Sequence, residues 1–166
     1  MAPPAFKRRY EMTVLYTFAE GIMAGLTKLN QADLPLGLVS RVRRVLKNFK
    51  EELEIYNPER EKILRENCTL EKDEKTGAQY WKFPKPEDEK YAEFEKRWNE
   101  LQMQKLIFPY EPIDYLKLIE DTPDEVKKKI VAKGSDFDVL EALNNAYDEQ
   151  FKKDVSPTEN TSAGAN

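Results

Sequence analysis

Closely spaced carboxylates are the residues of this chain most suited to chemistry. They occur as the groups Glu51–Glu52, Glu59 with Glu61, 87–89, and Asp124–Glu125. Converging acids can hold a divalent cation or exchange protons with a substrate. These acids, however, fall at expected helix starts or beside Lys and Arg, which is typical of solvated surface charges. We therefore predict no catalytic residue and no metal site among them.

The remaining reactive side chains are few. The chain has no histidine, so the commonest general base and transition-metal ligand is missing. Cys68 is the single cysteine, which excludes an internal disulfide and a Cys-based zinc site and favours a structural thiol. Neither GxGxxG nor GxxxxGK[ST] occurs. We expect a protein that is not an enzyme and has no cofactor or small-molecule substrate.

A basic stripe is the first candidate binding feature. Arg41, Arg44 and Lys47 share one side of an expected helix, opposite its apolar residues. Such a stripe can be a solvated face, contact an acidic protein, or meet nucleic-acid phosphates. Nucleic acid is possible but not favoured, since the net charge is −4 and aromatic residues are not interleaved with the basic ones.

Aromatic residues are the second candidate binding feature. Two segments, "QYWKF" and "LIFPYEPIDYL", are rich in large apolar side chains. Such side chains either pack into the core or remain at the surface as anchors for a partner. The residues we predict for partner contact are Tyr80, Trp81, Phe83, Phe108 and Tyr110.

Length and composition predict one domain with two polar ends. The chain has 166 residues, 40% of them hydrophobic, with eight Phe and eight Tyr, which is enough to build a core. We expect a flexible basic arm at 1–9, one α-rich domain at 10–152, and a disordered tail at 153–166. The sequence contains neither a secretory signal nor an apolar run long enough for a membrane span. We therefore expect a cytoplasmic protein that is not secreted by a signal peptide and does not contact membranes.

A helical hairpin is the element that would position the basic stripe. Apolar residues from Met12 to Leu29 recur at spacings of three and four, and a second such series runs from Val42 to Tyr56. Pro35 separates them, so residues 10–56 predict two antiparallel helices. We expect the second helix to continue to about residue 67, with a kink or restart at Pro58. Gly21 and Gly25 indicate a close approach by a neighbour.

The second half predicts a mixture of short elements. A β-hairpin is expected from residue 69 to 83 and a helix from Pro86. Residues 105–108 predict a strand, and 115–119 a helical turn or strand. A helix from Thr122 to before Gly134 and a last helix from Ser135 complete the chain. The expected fold class is mainly α, or α+β with a small β-hairpin, in which further helices pack on the antiparallel helical hairpin.

Several of these segments together resemble a known family. They are "MTVLYTFAEGIMAGLTKLNQADLPLGLVSRVRRVLKNFKEELEIYNPEREKIL", "EKDEKTG", "EFEKRWNEL" and "LIFPYEPIDYLKLIEDTPDEV". Over residues 12–130 the chain resembles small phage and prophage proteins of a domain-of-unknown-function family. The resemblance implies a viral genomic context, a location in the host cytoplasm or in the virion, and a role in particle assembly or host interaction, with no catalytic residues to carry over. The last helix departs from the family pattern. We therefore expect a protein-binding or self-associating protein, with a helical nucleic-acid-associated or host-directed regulator as the alternative.

Overall fold

The protein consists mainly of helices, together with two separate antiparallel sheets of two strands each. A computed structural model describes residues 11–130, 132 and 134–154. Its helices and strands are β1 (Glu11–Leu15), α1 (Ala19–Gln31), α2 (Leu36–Asn67), β2 (Thr69–Lys72), β3 (Gln79–Lys82), α3 (Tyr91–Gln102), β4 (Lys105–Pro109), α4 (Tyr115–Glu120), α5 (Asp124–Lys127) and α6 (Asp138–Asp154). The mainly α fold class predicted from the sequence is confirmed.

The helical hairpin forms from α1 and α2. Pro35 ends the link between them, and its carbonyl accepts hydrogen bonds from the backbone N–H groups of Leu38 (3.0 Å) and Val39 (2.9 Å). Proline favours extended backbone in the residue before it and is compatible with the start of a helix. Pro35 therefore both separates α1 from α2 and precedes the first residue of α2. The facing sides bury Leu26, Leu29 and, on α2, Val42 among others. Burying each such side chain stabilises the folded state by about 1.5–3 kcal/mol.

Residues 11–15 form a strand, and the prediction that the first helix begins near residue 10 is wrong. β1 pairs antiparallel with β4, and Met12 lies opposite Phe108. Thr13 and Val14 are β-branched and favour extended backbone. This preference and the pairing with β4 outweigh the helical spacing of Met12 and Leu15. The strand at β4 was predicted, but its partner lies too far along the chain for local patterns to reveal.

Side chains of α2 cover the outer edge of β4. Three of them, spaced four residues apart, reach alternate backbone groups of the strand. The pairs are Asn48 Nδ2 to the Pro109 carbonyl (3.4 Å), Ile107 N–H to Glu52 Oε1 (3.4 Å), and Tyr56 hydroxyl to the Lys105 carbonyl (3.0 Å). Four helical residues advance about 6 Å and two strand residues about 6.6 Å, so the two series stay in step.

The outer edge of β1 is covered in a similar way by α6. Gln150 accepts a hydrogen bond from the Thr13 N–H (3.0 Å) and donates one to the Thr13 carbonyl (2.6 Å). A strand edge with free N–H and C=O groups is a template for further pairing. These side chains occupy both outer edges of the β1–β4 sheet and oppose its extension by a partner strand.

The middle of the chain largely follows the prediction. α2 continues through Pro58 to Asn67, and the hairpin of β2 and β3 turns at Gly77, whose φ is +71°. α3, however, begins at Tyr91 and not at Pro86. The predicted start is wrong because residues 85–88 form a turn, in which the Lys85 N–H donates to Asp88 Oδ2 (2.8 Å).

The C-terminal part contains one long helix and two short ones. The helix predicted from Thr122 to before Gly134 is reduced to α5, four residues long. Thr122 is not its cap, because its hydroxyl donates back to the Leu118 carbonyl (2.7 Å). α6 follows a 3-10 turn and ends at Asp154, two residues into the segment predicted as a tail. The remaining predicted tail and the predicted arm, 1–9, lie outside the described residues.

Candidate interaction surfaces

Two of the five aromatic residues predicted for partner contact are buried, which corrects that prediction. Phe108 and Tyr110 each have 1% of their surface exposed. The Phe108 ring meets Phe49 edge-on at 5.1 Å and lies 6.3 Å from Tyr110. Phe108 lies on β4, between β1 and α2, and Tyr110 follows the strand and contacts Asn144 of α6, so both rings form core and are too buried to anchor a partner.

The other three aromatic residues lie on or beside the β2–β3 hairpin. Tyr80 and Phe83 are 48% and 47% exposed, and Trp81 is half-buried. Phe83 packs at 5.2 Å from the ring of Phe94. The Tyr80 hydroxyl donates to Glu71 (2.9 Å), and this bond lowers the pKa of the Glu71 carboxyl. These rings are thus partly used within the molecule, and their role in partner contact stays a prediction.

The predicted basic stripe divides into two parts. Arg41 and Arg44 are exposed and line a groove of about 260 Å³. Lys47 is not part of this groove, and its ammonium lies 3.8 Å from Glu51, where both side chains are solvent-exposed. Among the described residues, neither Arg41 nor Arg44 has a carboxylate or hydrogen-bond partner.

We call this groove the basic groove. Its opposite wall is formed by the last residue of β4 and the segment that follows the strand. It contributes Pro109, Tyr110, Glu111 and Ile113. Asn144 of α6 holds that segment: its Oδ1 accepts from the Tyr110 hydroxyl (2.5 Å) and the Ile113 N–H (3.1 Å), and its Nδ2 donates to the Ile113 carbonyl (2.9 Å). Burial raises the pKa of Tyr110 well above its ordinary value. The wall is therefore fixed before any ligand arrives.

A second groove, which sequence patterns did not reveal, lies between α1 and α6. It has a volume of about 510 Å³ and a largely apolar lining. We call it the apolar groove, and it is lined chiefly by Phe18, Gly21, Ile22, Val139, Ala142 and Ala146. The ring of Phe18 is 61% exposed. The salt bridge between Lys28 and Asp136 (2.5 Å) joins the same two sides.

Gly21 and Gly25 of α1 were predicted to allow close approach by a neighbouring element, and both line this groove. A Cβ on Gly25 would lie 2.7 Å from the Cβ of Val139, so the predicted close approach is present there. A Cβ on Gly21 would meet nothing within 4 Å, so the close approach predicted at Gly21 is wrong. Gly21 therefore leaves open space that Gly25 does not, and this space is part of the apolar groove.

An ionic cluster connects α2 with α3. Arg97 contacts Glu59 (3.2 Å) and makes a short hydrogen bond to Glu66. The hydrogen bond from Arg97 lowers the pKa of the Glu66 carboxyl. Because Arg97 of α3 bridges two carboxylates of α2, we interpret this cluster as a contact between helices.

The described part of the chain offers little apparatus for chemistry. No group of three or more His, Cys, Asp or Glu residues within it is placed to hold a metal ion. Burial raises the pKa of the Cys68 thiol, which disfavours the nucleophilic thiolate. Its helices include none with the length and apolar character that crossing a bilayer requires.

Comparisons with known proteins leave the two grooves as the main guide to function. No family model, curated protein sequence or solved structure matches the chain.

Proposed function

We propose that the protein is a non-enzymatic protein-interaction module that receives an amphipathic helix of another protein in the apolar groove. The observation that carries this proposal is the groove itself: about 510 Å³ of largely apolar space beside a Phe18 ring that is 61% exposed. Contiguous exposed apolar surface on a folded protein marks sites of interaction.

The shape of the groove supports a helical occupant. It is bounded by two helices, and a third helix placed between them would complete a three-helix layer. α1 has thirteen residues and is about 20 Å long, so it matches a partner helix of three to four turns. Amphipathic helices bind such grooves through apolar residues spaced three and four apart.

The lining supports close approach and an aromatic anchor. Gly21, Ala142 and Ala146 present small side chains or none, so a partner backbone can approach closely. Phe18 stands at the edge, where a large ring can cover the bound helix. Such rings supply much of the energy of protein interfaces.

The setting of this interaction is proposed from sequence motifs alone. The resemblance to small phage and prophage proteins supports a role as an assembly, adaptor or virion component, in the host cytoplasm or in the particle. α6 forms one side of the groove and departs from the pattern of that family. We therefore do not propose that this protein and the family bind the same partner.

A pull-down with two matched variants tests the proposal. Ala142→Arg places a long charged side chain in the groove at an exposed position. Ala24→Arg adds the same side chain at an exposed position of α1 outside the groove lining. Tagged wild type and both variants are incubated with lysate of the native host, with and without nuclease, and retained proteins are identified by mass spectrometry.

We expect wild type and Ala24→Arg to retain the same one or two proteins with or without nuclease, and Ala142→Arg to lose them. Circular dichroism should show that both variants remain folded. Equal retention by all three proteins contradicts binding in the apolar groove. Recovery that disappears with nuclease contradicts the proposal and favours a nucleic-acid-associated regulator.

A further inference from the structure

We propose that the basic groove is a second binding site, and that it takes an extended acidic peptide segment of a partner protein. This site goes beyond the helix-binding role of the apolar groove, because it lies between α2 and the segment after β4. Its proposed ligands are carboxylates presented by Asp or Glu residues on an extended chain.

The positive charge of the groove is available for a ligand. Arg41 and Arg44 are three residues apart on α2, so their side chains are neighbours on one face. Neither is paired within the described residues, whereas Arg97, Arg60 and Lys47 all have carboxylate partners. Two free guanidinium groups beside each other can each bind a carboxylate through two parallel hydrogen bonds.

The opposite wall is already in place. Tyr110 and Ile113 are each 1% exposed and are both held by Asn144. The amide of Asn48 donates to the Pro109 carbonyl (3.4 Å), which joins the two walls. Because the groove does not rearrange on binding, no free energy is spent on ordering it, and a short peptide can bind there.

Several features favour an acidic peptide over nucleic acid. The groove holds about 260 Å³, which is small. Tyr110 lines it but is buried and offers no free ring face for stacking a base. Glu111 stands in the same wall and repels a continuous phosphate backbone, whereas a peptide can place its carboxylates on the arginines alone. Lys47, which would extend the positive charge, is near Glu51.

Fluorescence polarisation with a defined probe tests this site. The probe is a fluorescein-labelled peptide, Glu-Glu-Leu-Glu-Glu, titrated at about 0.15 M ionic strength, where the Debye length is about 8 Å. Arg41→Glu with Arg44→Glu reverses both groove charges, and Lys50→Glu with Arg65→Glu makes the same change of net charge at exposed positions of α2 outside this groove. Glu111→Gln removes the acid from the wall.

We expect the groove double variant to bind at least about tenfold more weakly than wild type, since charge-assisted hydrogen bonds are lost. The control double variant should change Kd by less than about twofold, because exposed distant charges are screened. Glu111→Gln should tighten binding. Ala142→Arg should leave probe binding unchanged, so a failure at one groove is distinguishable from a failure at the other.

Three results would overturn the inference. The first is absence of probe binding by wild type at about 1 mM peptide. The second is equal weakening by both double variants, which would show general attraction to charge. The third is displacement of the probe by a ten-nucleotide thymidine strand at lower concentration than by unlabelled peptide, which would assign the groove to nucleic acid.

Discussion

Asn144 offers the sharpest test of how the basic groove is built. Asn144→Ala removes the three hydrogen bonds that join α6 to Tyr110 and Ile113. Each such bond contributes about 1 kcal/mol net. Because Asn144 is half-buried, water can replace part of them, and we expect the free energy of unfolding to fall by about 2–3 kcal/mol. For a chain of this size that lowers Tm by about 5–10 °C.

The neighbouring Asn145 provides a matched control. It has the same side chain on the same helix, is exposed, and makes no side-chain hydrogen bond within the described residues. Asn145→Ala should change the free energy of unfolding by less than about 0.5 kcal/mol. Thermal unfolding followed by circular dichroism, with urea titration for the free energies, compares the two variants with wild type. If Asn144→Ala melts within a degree of Asn145→Ala, Asn144 does not hold the groove wall.

Three further predictions concern the helices and the core. In urea unfolding, Gly25→Ala should destabilise the protein by about 1–3 kcal/mol, because the new Cβ would meet the Cβ of Val139. Gly21→Ala, whose Cβ meets nothing, should stabilise the protein by up to about 1 kcal/mol through its higher helix propensity. The opposite order of stabilities would contradict the packing described. Pro58→Ala should stabilise α2 by about 1–3 kcal/mol and so raise the urea midpoint, because proline inside a helix lacks the N–H donor. An unchanged midpoint would show that α2 accommodates Pro58 without cost. Burial raises the pKa of Tyr110 in the folded state above the unfolded value of about 10. The stability that the buried neutral phenol contributes is therefore complete below about pH 10 and is lost as the pH rises above 10. Tyr110→Phe should therefore lose less stability than wild type between pH 8 and 10.5 in urea titrations, and equal losses would contradict a buried phenol.

Local patterns were sufficient for the long helices. Apolar spacing and Pro35 predicted the helical hairpin, and the continuation of α2 to Asn67 was expected despite Pro58. Both depend on interactions within a few residues, where propensity and periodicity act. The hairpin at Gly77 was predicted for the same reason, because its turn needs a residue that tolerates positive φ.

Long-range contacts account for the errors. Met12 and Leu15 have helical spacing, yet their segment pairs with β4, whose residues lie ninety or more positions further along the chain. Phe108 and Tyr110 were predicted as surface anchors because nothing local shows that β1, α2 and α6 cover them. The apolar groove was missed for a related reason: its two sides, α1 and α6, are neighbours in the fold but lie far apart along the chain.

Hydrogen–deuterium exchange of the protein with its recovered partner tests helix binding in the apolar groove most directly. On addition of the partner, we predict slower backbone exchange in Ala19–Gln31 of α1 and Asp138–Asp154 of α6, the two helices that line the groove. Exchange in the β2–β3 hairpin, residues 69–82, should not change. Slowing confined to that hairpin, or no slowing in either helix while the partner remains bound, would contradict the account.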